Sequence, residues 1–480
     1  MPLVLGGSAV VTPPYDIDNS CRFDDASSAG LAKTFGTPTN RDIWTVSFWF
    51  KVCNFEEQGL FWAEEDGSNY TFMALEPTGK FTFFGLLAGG ASPNFKPSRL
   101  FRDVGAWYHF VIGWDSSQAV AENRIKFYVN GTQYTGPFGT EIYPAQDANS
   151  SINGANLHEV AEKDSTAAHN MNGYMSEVVF IDGTQYAASD FGEFDSASPT
   201  IWKPKDVSGL TFGNNGFHLD FGNSADLGAD VSGNSNDFTP SGLTASDQAV
   251  DTPTNNFSTM NSLDNYFASG TFSEGNCNIV HPSSSNNAFC TSTIWLSSGK
   301  WYAEAKVITT GTGDGNLIGM SSVVSPASSN AGSLGETTAN YGYYGNDGGY
   351  RHNASTTSYG SAYGVNAIIG IYLDLDNNKL YFAEDGTIQN SGTGITIIAA
   401  ASQPSGYYTM SGGDWTSSTG VQWAWNFGGC SAFDVTSANQ DVNGYGNFEY
   451  SPNDGGSASF DSSAKDFLAI CTKNLGSDGG

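Results

Sequence analysis

Ile43-Trp44-Thr45-Val46-Ser47-Phe48-Trp49-Phe50 alternates large apolar residues with smaller ones. That is the period of a strand that turns one face to a core. Trp107-Tyr108-His109-Phe110-Val111-Ile112-Gly113-Trp114-Asp115 reads as a second such strand. Arg124-Ile125-Lys126-Phe127-Tyr128-Val129 runs into Asn130-Gly131, a hairpin signal because both turn residues tolerate positive φ. Glu177-Val178-Val179-Phe180-Ile181 followed by Asp182-Gly183 repeats the pattern. Further on, Gly299–Val307 and Ala367–Leu375 are strands, and Asp376-Asn377-Asn378 turns the chain into Lys379–Ala383. Helical periodicity is nearly absent, and strand candidates recur roughly every 8–15 residues between Gly, Asn, Asp and Pro. The expected class is all-β, with two antiparallel, jelly-roll-type β-sandwiches in tandem.

The composition supports a packed protein. Charged residues are only 14% of the 480, but aromatics are also 14% and Gly numbers 58. Aromatic and β-branched runs joined by Gly- and Asn-rich turns build sheets rather than disordered chain. With 19 basic against 49 acidic residues the formal net charge is −30. Nucleic acid and anionic membranes need clustered Lys and Arg, so neither is expected as a partner. None of the six cysteines (Cys21, Cys53, Cys277, Cys290, Cys430, Cys471) forms a Cys-x-x-Cys pair, which excludes a zinc ribbon or thioredoxin-like motif. A Cys277–Cys290 disulfide is conceivable, and isolated buried thiols are the preferred reading. Met-Pro-Leu-Val-Leu-Gly-Gly-Ser lacks the basic start and apolar length of a signal peptide, and no window reaches membrane-spanning length.

Residues 1–15 are a short apolar opening ended by Pro13-Pro14, an edge strand or docking arm. Residues 16–248 form the first body, 249–256 a polar linker with Pro and Asn, and 257–480 the second body. The stretch from Thr337 to Gly364 is so rich in Gly, Tyr, Asn and Ser that it reads as a long surface excursion.

Asn19-Ser20-Cys21-Arg22-Phe23, the Trp44–Phe50 strand, Trp107-Tyr108-His109, Lys126–Gly131 and Gly173–Gly183 resemble the concanavalin A-like lectin/glucanase superfamily in its laminin-G/pentraxin-like form. Gly299-Lys300-Trp301-Tyr302, Ile318-Gly319, Ile369–Asn377 and Leu380-Tyr381-Phe382 resemble SPRY domains, sandwiches that bind partners through loops. The pairing, with its closing Asp466–Leu475, is similar to tail- or head-fibre proteins of bacteriophages. The resemblance implies a structural protein on the virion surface, assembled in the host cytoplasm, that binds host-surface carbohydrate beside other virion subunits. A homo-oligomer is expected, a cyclic trimer as the working guess. A purely architectural decorating protein and a polysaccharide-degrading glycanase are the alternatives.

Glucanase relatives carry paired carboxylates on one strand, as Glu-x-Asp-x-Glu or Glu-x-Asp-x-x-Glu. Glu64-Glu65-Asp66 and Glu193-Phe194-Asp195 lack the required second Glu. His158-Glu159-Val160-Ala161-Glu162 lacks the second His of a zinc-protease motif. No catalytic residue is therefore assigned, and the chain is expected not to be an enzyme.

Two features suggest binding. Asp230, Ser232, Asn234 and Asn236 concentrate hard oxygens on a Gly-containing turn that resembles one in laminin-G-like domains, a Ca²⁺ candidate. The competing reading is an Asx-turn cluster satisfying its own backbone. Tyr341, Tyr343, Tyr344, Tyr350 and Tyr359 with Asn346 combine aromatic faces and planar polar groups, as a sugar requires. The competing reading packs these rings on their own sandwich. Trp44, Trp49, Trp107 and Phe127 are expected in cores, because they lie on alternating strand faces.

Overall fold

The computed structural model describes residues 15–87, 92–162, 169–264, 270–282, 288–311, 315–325, 332–415, 420–453 and 466–476. The proposed docking arm, residues 1–15, lies outside them except for Tyr15. The protein is all-β; the one α-helix among the described residues is the single turn Thr472–Leu475.

The first sandwich pairs two eight-stranded sheets. One runs Thr132–Gln133, Ile125–Val129, Tyr108–Asp115, Ile43–Val52, Gly173–Asp182, Ser20–Phe23 and Gln248–Ala249, with Phe217–Leu219 also on the 173–182 strand. The other runs Phe138–Ile142, Asn94–Pro97, Phe81–Leu86, Asn69–Leu75, Gln58–Asp66, Leu157–Val160, Gly30–Thr34 and Thr239–Ser241. Trp44, Val46, Phe48 and Phe50 point between them and pack with Phe61, Phe81 and Phe83. The opposite face of this strand is buried as well. Trp49 packs with Trp107 and Tyr174, and Thr45 Oγ1 donates to Thr184 O at 2.8 Å. The alternation thus sorts residues between two cores rather than between core and solvent.

Asn130 (φ 46°) and Gly131 (φ 78°) make the expected hairpin, joining 125–129 to 132–133. A Cβ on Gly131 would run into the Trp202 ring, so the position needs glycine twice over. Asp182-Gly183 does not form a hairpin. Asp182 accepts the backbone N–H groups of Thr39, Asn40 and Asn215 at 2.6, 3.1 and 3.1 Å, pinning separate loops. The chain then leaves the sheet for the two-stranded ribbon Gly192–Phe194 and Trp202–Pro204.

The second sandwich has a nine-stranded and a six-stranded sheet. The nine-stranded sheet centres on Lys300–Thr309, flanked by Gln422–Asn426 and Ile368–Asp374, and its 368–374 strand turns back into Lys379–Glu384. Asn378 (φ 54°) takes the positive-φ position of that turn. The six-stranded sheet runs Ala288–Thr291, Thr409–Asp414, Asn316–Ser321, Asn340–Tyr344, Gly349–His352 and Ser355–Ser358. The expected surface excursion is therefore corrected: Thr337–Gly364 supplies three strands of this sheet. The tyrosines explain the difference: the rings of Tyr341, Tyr343, Tyr359 and Tyr363 fill the core, and each of these four hydroxyls meets a backbone partner.

The 249–256 stretch is packed between the two sandwiches. Val250 and Asp251 donate their N–H groups to Gly429 O at 2.8 and 3.2 Å, and Asp251 is buried. Two cations from the first sandwich reach across. Lys51, fully buried, meets Asp251 Oδ2 and Asn256 Oδ1, each at 2.8 Å, and Phe257 O at 3.0 Å. Arg22 pairs with Asp247 at 2.9 Å and Glu274 at 2.7 Å, and also donates to Ser431 O. The C-terminal turn closes the joint: Ser258 N donates to Ile470 O and Thr472 N to Asn256 O, both at 2.9 Å. All six cysteines are buried free thiols.

Candidate functional site

At one end of the first sandwich lies a cleft of about 430 Å³ lined by Arg41, Glu65, Asn69, Gln146, Asp147 and Ser151, among others. Arg41 enters just before the 43–52 strand, and Glu65 and Asn69 flank the tight turn between two strands of the other sheet. Asp66 holds that turn by accepting Ser68 N at 2.8 Å. Residues 145–151 close the opposite wall. Their backbone is tied down by Asp147 N to Ser116 O at 2.9 Å and Ser151 N to Thr71 Oγ1 at 3.3 Å. Ser150 below accepts Trp44 Nε1 at 3.0 Å, linking the cleft floor to the core.

Arg41 forms an ion pair with Glu65 across the cleft, and burial lowers its pKa from the ordinary guanidinium value. Its Nε is buried without a hydrogen-bond partner, and so is Ser151 Oγ. Buried polar atoms are nearly always partnered, so these two orphans leave unmet hydrogen-bonding capacity in the wall of the cleft. Gln146, Asp147 and Asn149 are exposed on the rim. Beside the cleft, the outer face of the sheet carries half-buried Tyr70, Phe72 and Phe84. Tyr70 and Phe72 stack at 6.3 Å between centroids, and Phe84 lies 6.0 and 5.5 Å from them.

The Tyr-rich candidate does not form a platform. Tyr341, Tyr343, Tyr344 and Tyr359 are buried. Tyr343 donates to Ser361 O at 2.6 Å. Tyr341 and Tyr359 hydroxyls accept Ile398 N and Phe382 N at 3.0 and 3.2 Å. Rings whose faces touch Phe382, His352 and one another cannot also lie against a sugar. Of the six residues, only Asn346 is exposed and Tyr350 half-exposed.

Nor does the Ca²⁺ candidate fit a cation. Asp230 Oδ1 accepts His218 N and Ser232 N, each at 2.9 Å, and Oδ2 accepts Ser232 Oγ and Asn236 N, each at 2.8 Å. Asn234 and Asn236 turn their amide N–H groups onto Gly216 O. Donors already occupy the lone pairs a cation would need, as in a self-satisfied Asx turn.

One buried pair has the residue types of a nucleophile and base. His109 Nε2 lies 2.8 Å from Ser47 Oγ, while Trp202 Nε1 donates to His109 Nδ1 at 3.0 Å. An accepting Nδ1 puts the proton of the neutral ring on Nε2, which therefore donates to Ser47 and cannot withdraw its proton. Burial holds the His109 pKa down at about 3.

Residues 25–188 match the family model of the concanavalin A-like lectin/glucanases superfamily, and residues 300–403 match that of the SPRY domain. The chain carries a concanavalin A-like domain followed by a SPRY domain. The cleft falls inside the first match and the buried tyrosines inside the second. Among solved structures, the SPRY domain of human HERC1 is similar at 14% identity, with 34% of this chain and 94% of that chain covered and a TM-score of 0.26. A heptameric SAP-like pentraxin from Limulus polyphemus is similar at 15% identity over 36% of this chain and 80% of its own, with a TM-score of 0.26. Likenesses at this level say nothing of ligand or activity. A search of curated proteins gave no match.

The sequence signal for the cleft was weak. Arg41, the Glu65–Asn69 turn and Ser151 are far apart in the chain, and none belongs to a motif. Only the turn residues Asp66-Gly67-Ser68 mark that a loop lies there.

Proposed function

We propose that this chain is a non-enzymatic carbohydrate-binding structural protein of a bacteriophage virion surface, and that glycan enters the cleft beside Arg41 and Ser151. The observation that carries the reading is the pair of orphaned polar atoms, Arg41 Nε and Ser151 Oγ, in an open cleft. Sugars offer hydroxyls to planar polar groups and C–H faces to aromatic rings. Asn69, Gln146 and Asn149 supply the first, and Tyr70, Phe72 and Phe84 the second. The concanavalin A-like match to this part of the chain agrees with such a ligand. The orientation of the Ser47–His109 pair supports a role without catalysis.

The virion setting, contacts with other capsid or tail subunits and a homo-oligomer rest on the resemblance to phage fibre proteins. A glycan array of host-surface polysaccharides, probed with the wild-type chain and Arg41→Ala, tests the ligand. Binding by the first and not the second is expected, and silence from the wild type would sink the claim. Antibody labelling of intact particles in the electron microscope tests the location. The burial of the Tyr-rich strands favours one second reading, a purely architectural subunit, which labelled particles with a silent array would establish.

A further inference from the structure

Lys51 sits on the Ile43–Val52 strand, yet its side chain has no access to water. Its Nζ lies 2.8 Å from Asn256 Oδ1, so the amine is set against a side-chain amide carbonyl. Asn256 Nδ2 donates to Gly105 O at 2.6 Å, which fixes that face of the amide toward the lysine. Asp251 Oδ2 lies 2.8 Å from the same Nζ. Its other oxygen accepts Trp107 Nε1 at 3.1 Å and Phe257 N at 3.2 Å, so the carboxyl cannot swing away. Trp107, Tyr174 and Phe257 surround the group and exclude water. An amine, an amide carbonyl and a carboxyl group are thus held within hydrogen-bond distance of one another in a largely buried setting.

We propose that Lys51 and Asn256 become joined by an isopeptide bond formed within the folded chain, with Asp251 as the proton carrier. Asp251 takes one proton from the Lys51 ammonium, leaving a neutral amine and a neutral carboxylic acid. The amine lone pair attacks Asn256 Cγ, and the Nζ–Cγ bond forms as the carbonyl π pair moves to oxygen. Asp251 delivers its proton to Nδ2, and the Cγ–Nδ2 bond breaks as the carbonyl re-forms. The remaining extra proton on Nζ returns to Asp251 and leaves with the departing ammonia as ammonium. No oxidant or cofactor enters. Asn256 is only half-buried, which gives the ammonia a way out. The bond ties the first sandwich to the segment leading into the second and closes a loop between positions 205 apart.

Intact mass spectrometry of the denatured full-length protein tests this, with N-terminal processing read from the same peptide map. The wild type should be lighter than its sequence by one ammonia, about 17 Da, and digestion should release one branched peptide holding Lys51 and Asn256. Lys51→Arg, Asp251→Ala and Asn256→Ala should each show the full sequence mass. A wild-type chain at full mass overturns the proposal and leaves a buried ion pair. A loss of about 18 Da overturns it as well, because water lost would mean an amide to Asp251. The wild-type measurement decides even where a variant fails to fold.

Discussion

Arg41 and Glu304 show how differently a partly open and a fully buried polar side chain behave. Arg41 is partly open, and its ion pair with Glu65 is of the exposed kind that contributes little. Arg41→Ala should therefore change stability by less than about 1 kcal/mol in denaturant titration while weakening glycan binding tenfold or more, about 1.4 kcal/mol. Glu304 is fully buried and accepts Glu449 N at 2.7 Å, Tyr302 OH at 2.8 Å and Asn426 Nδ2 at 2.9 Å. Burial outweighs these bonds and raises its pKa to about 7. A carboxyl whose folded pKa lies above its unfolded one stabilises most below the unfolded value and loses that contribution as pH rises through the folded one. Stability should thus fall between about pH 4.5 and 7 by up to about 3 kcal/mol. Urea midpoints at pH 5 and pH 8 check this, and the slope should flatten in Glu304→Gln.

Among elements, the 340–344 and 349–352 strands changed role most. Tyr343 stacks on Phe382 at 4.9 Å and accepts no solvent, so it acts as a core residue with a tethered hydroxyl. Tyr343→Ala should cost about 3–5 kcal/mol, in the range of large aromatic truncations, as seen by thermal or denaturant unfolding. Binding per folded molecule should stay unchanged. A selective loss of binding without loss of stability would return the Tyr-rich strands to the surface role their composition suggests. Their composition misleads for a physical reason. Tyr, Gly and Asn are what a sugar-binding loop uses, and they are equally what a tightly turned hairpin uses when its rings fill a core.

At the scale of the molecule, the joint between the sandwiches decides whether two domains behave as two. Arg22 is buried and engages Asp247 from one side and Glu274 from the other, and Tyr174 OH donates to Gly275 O at 3.0 Å. Removing the cation leaves two carboxylates facing each other across the joint. Arg22→Ala should destabilise by on the order of 3 kcal/mol. Differential scanning calorimetry should then show a single wild-type transition separating into two. A variant that still melts in one step at the wild-type temperature would show that the joint does not couple the sandwiches.

The local patterns were legible in the chain alone. Trp44 to Phe50 declared a strand, Asn130-Gly131 a hairpin, and the missing second carboxylate and histidine ruled out two catalytic motifs. These depend on neighbours a few residues apart, whose sterics and spacing any reader of the sequence can inspect. Tertiary structure alone decided what the outer face of the 43–52 strand touches, that a polar linker would be buried, and that four tyrosines would point inward. It also set Arg41 beside Ser151 and Lys51 beside Asn256. Those pairs are more than a hundred residues apart in the chain, and only the closing of the sheets over a shared core brings the first into one cleft and the second within hydrogen-bond reach.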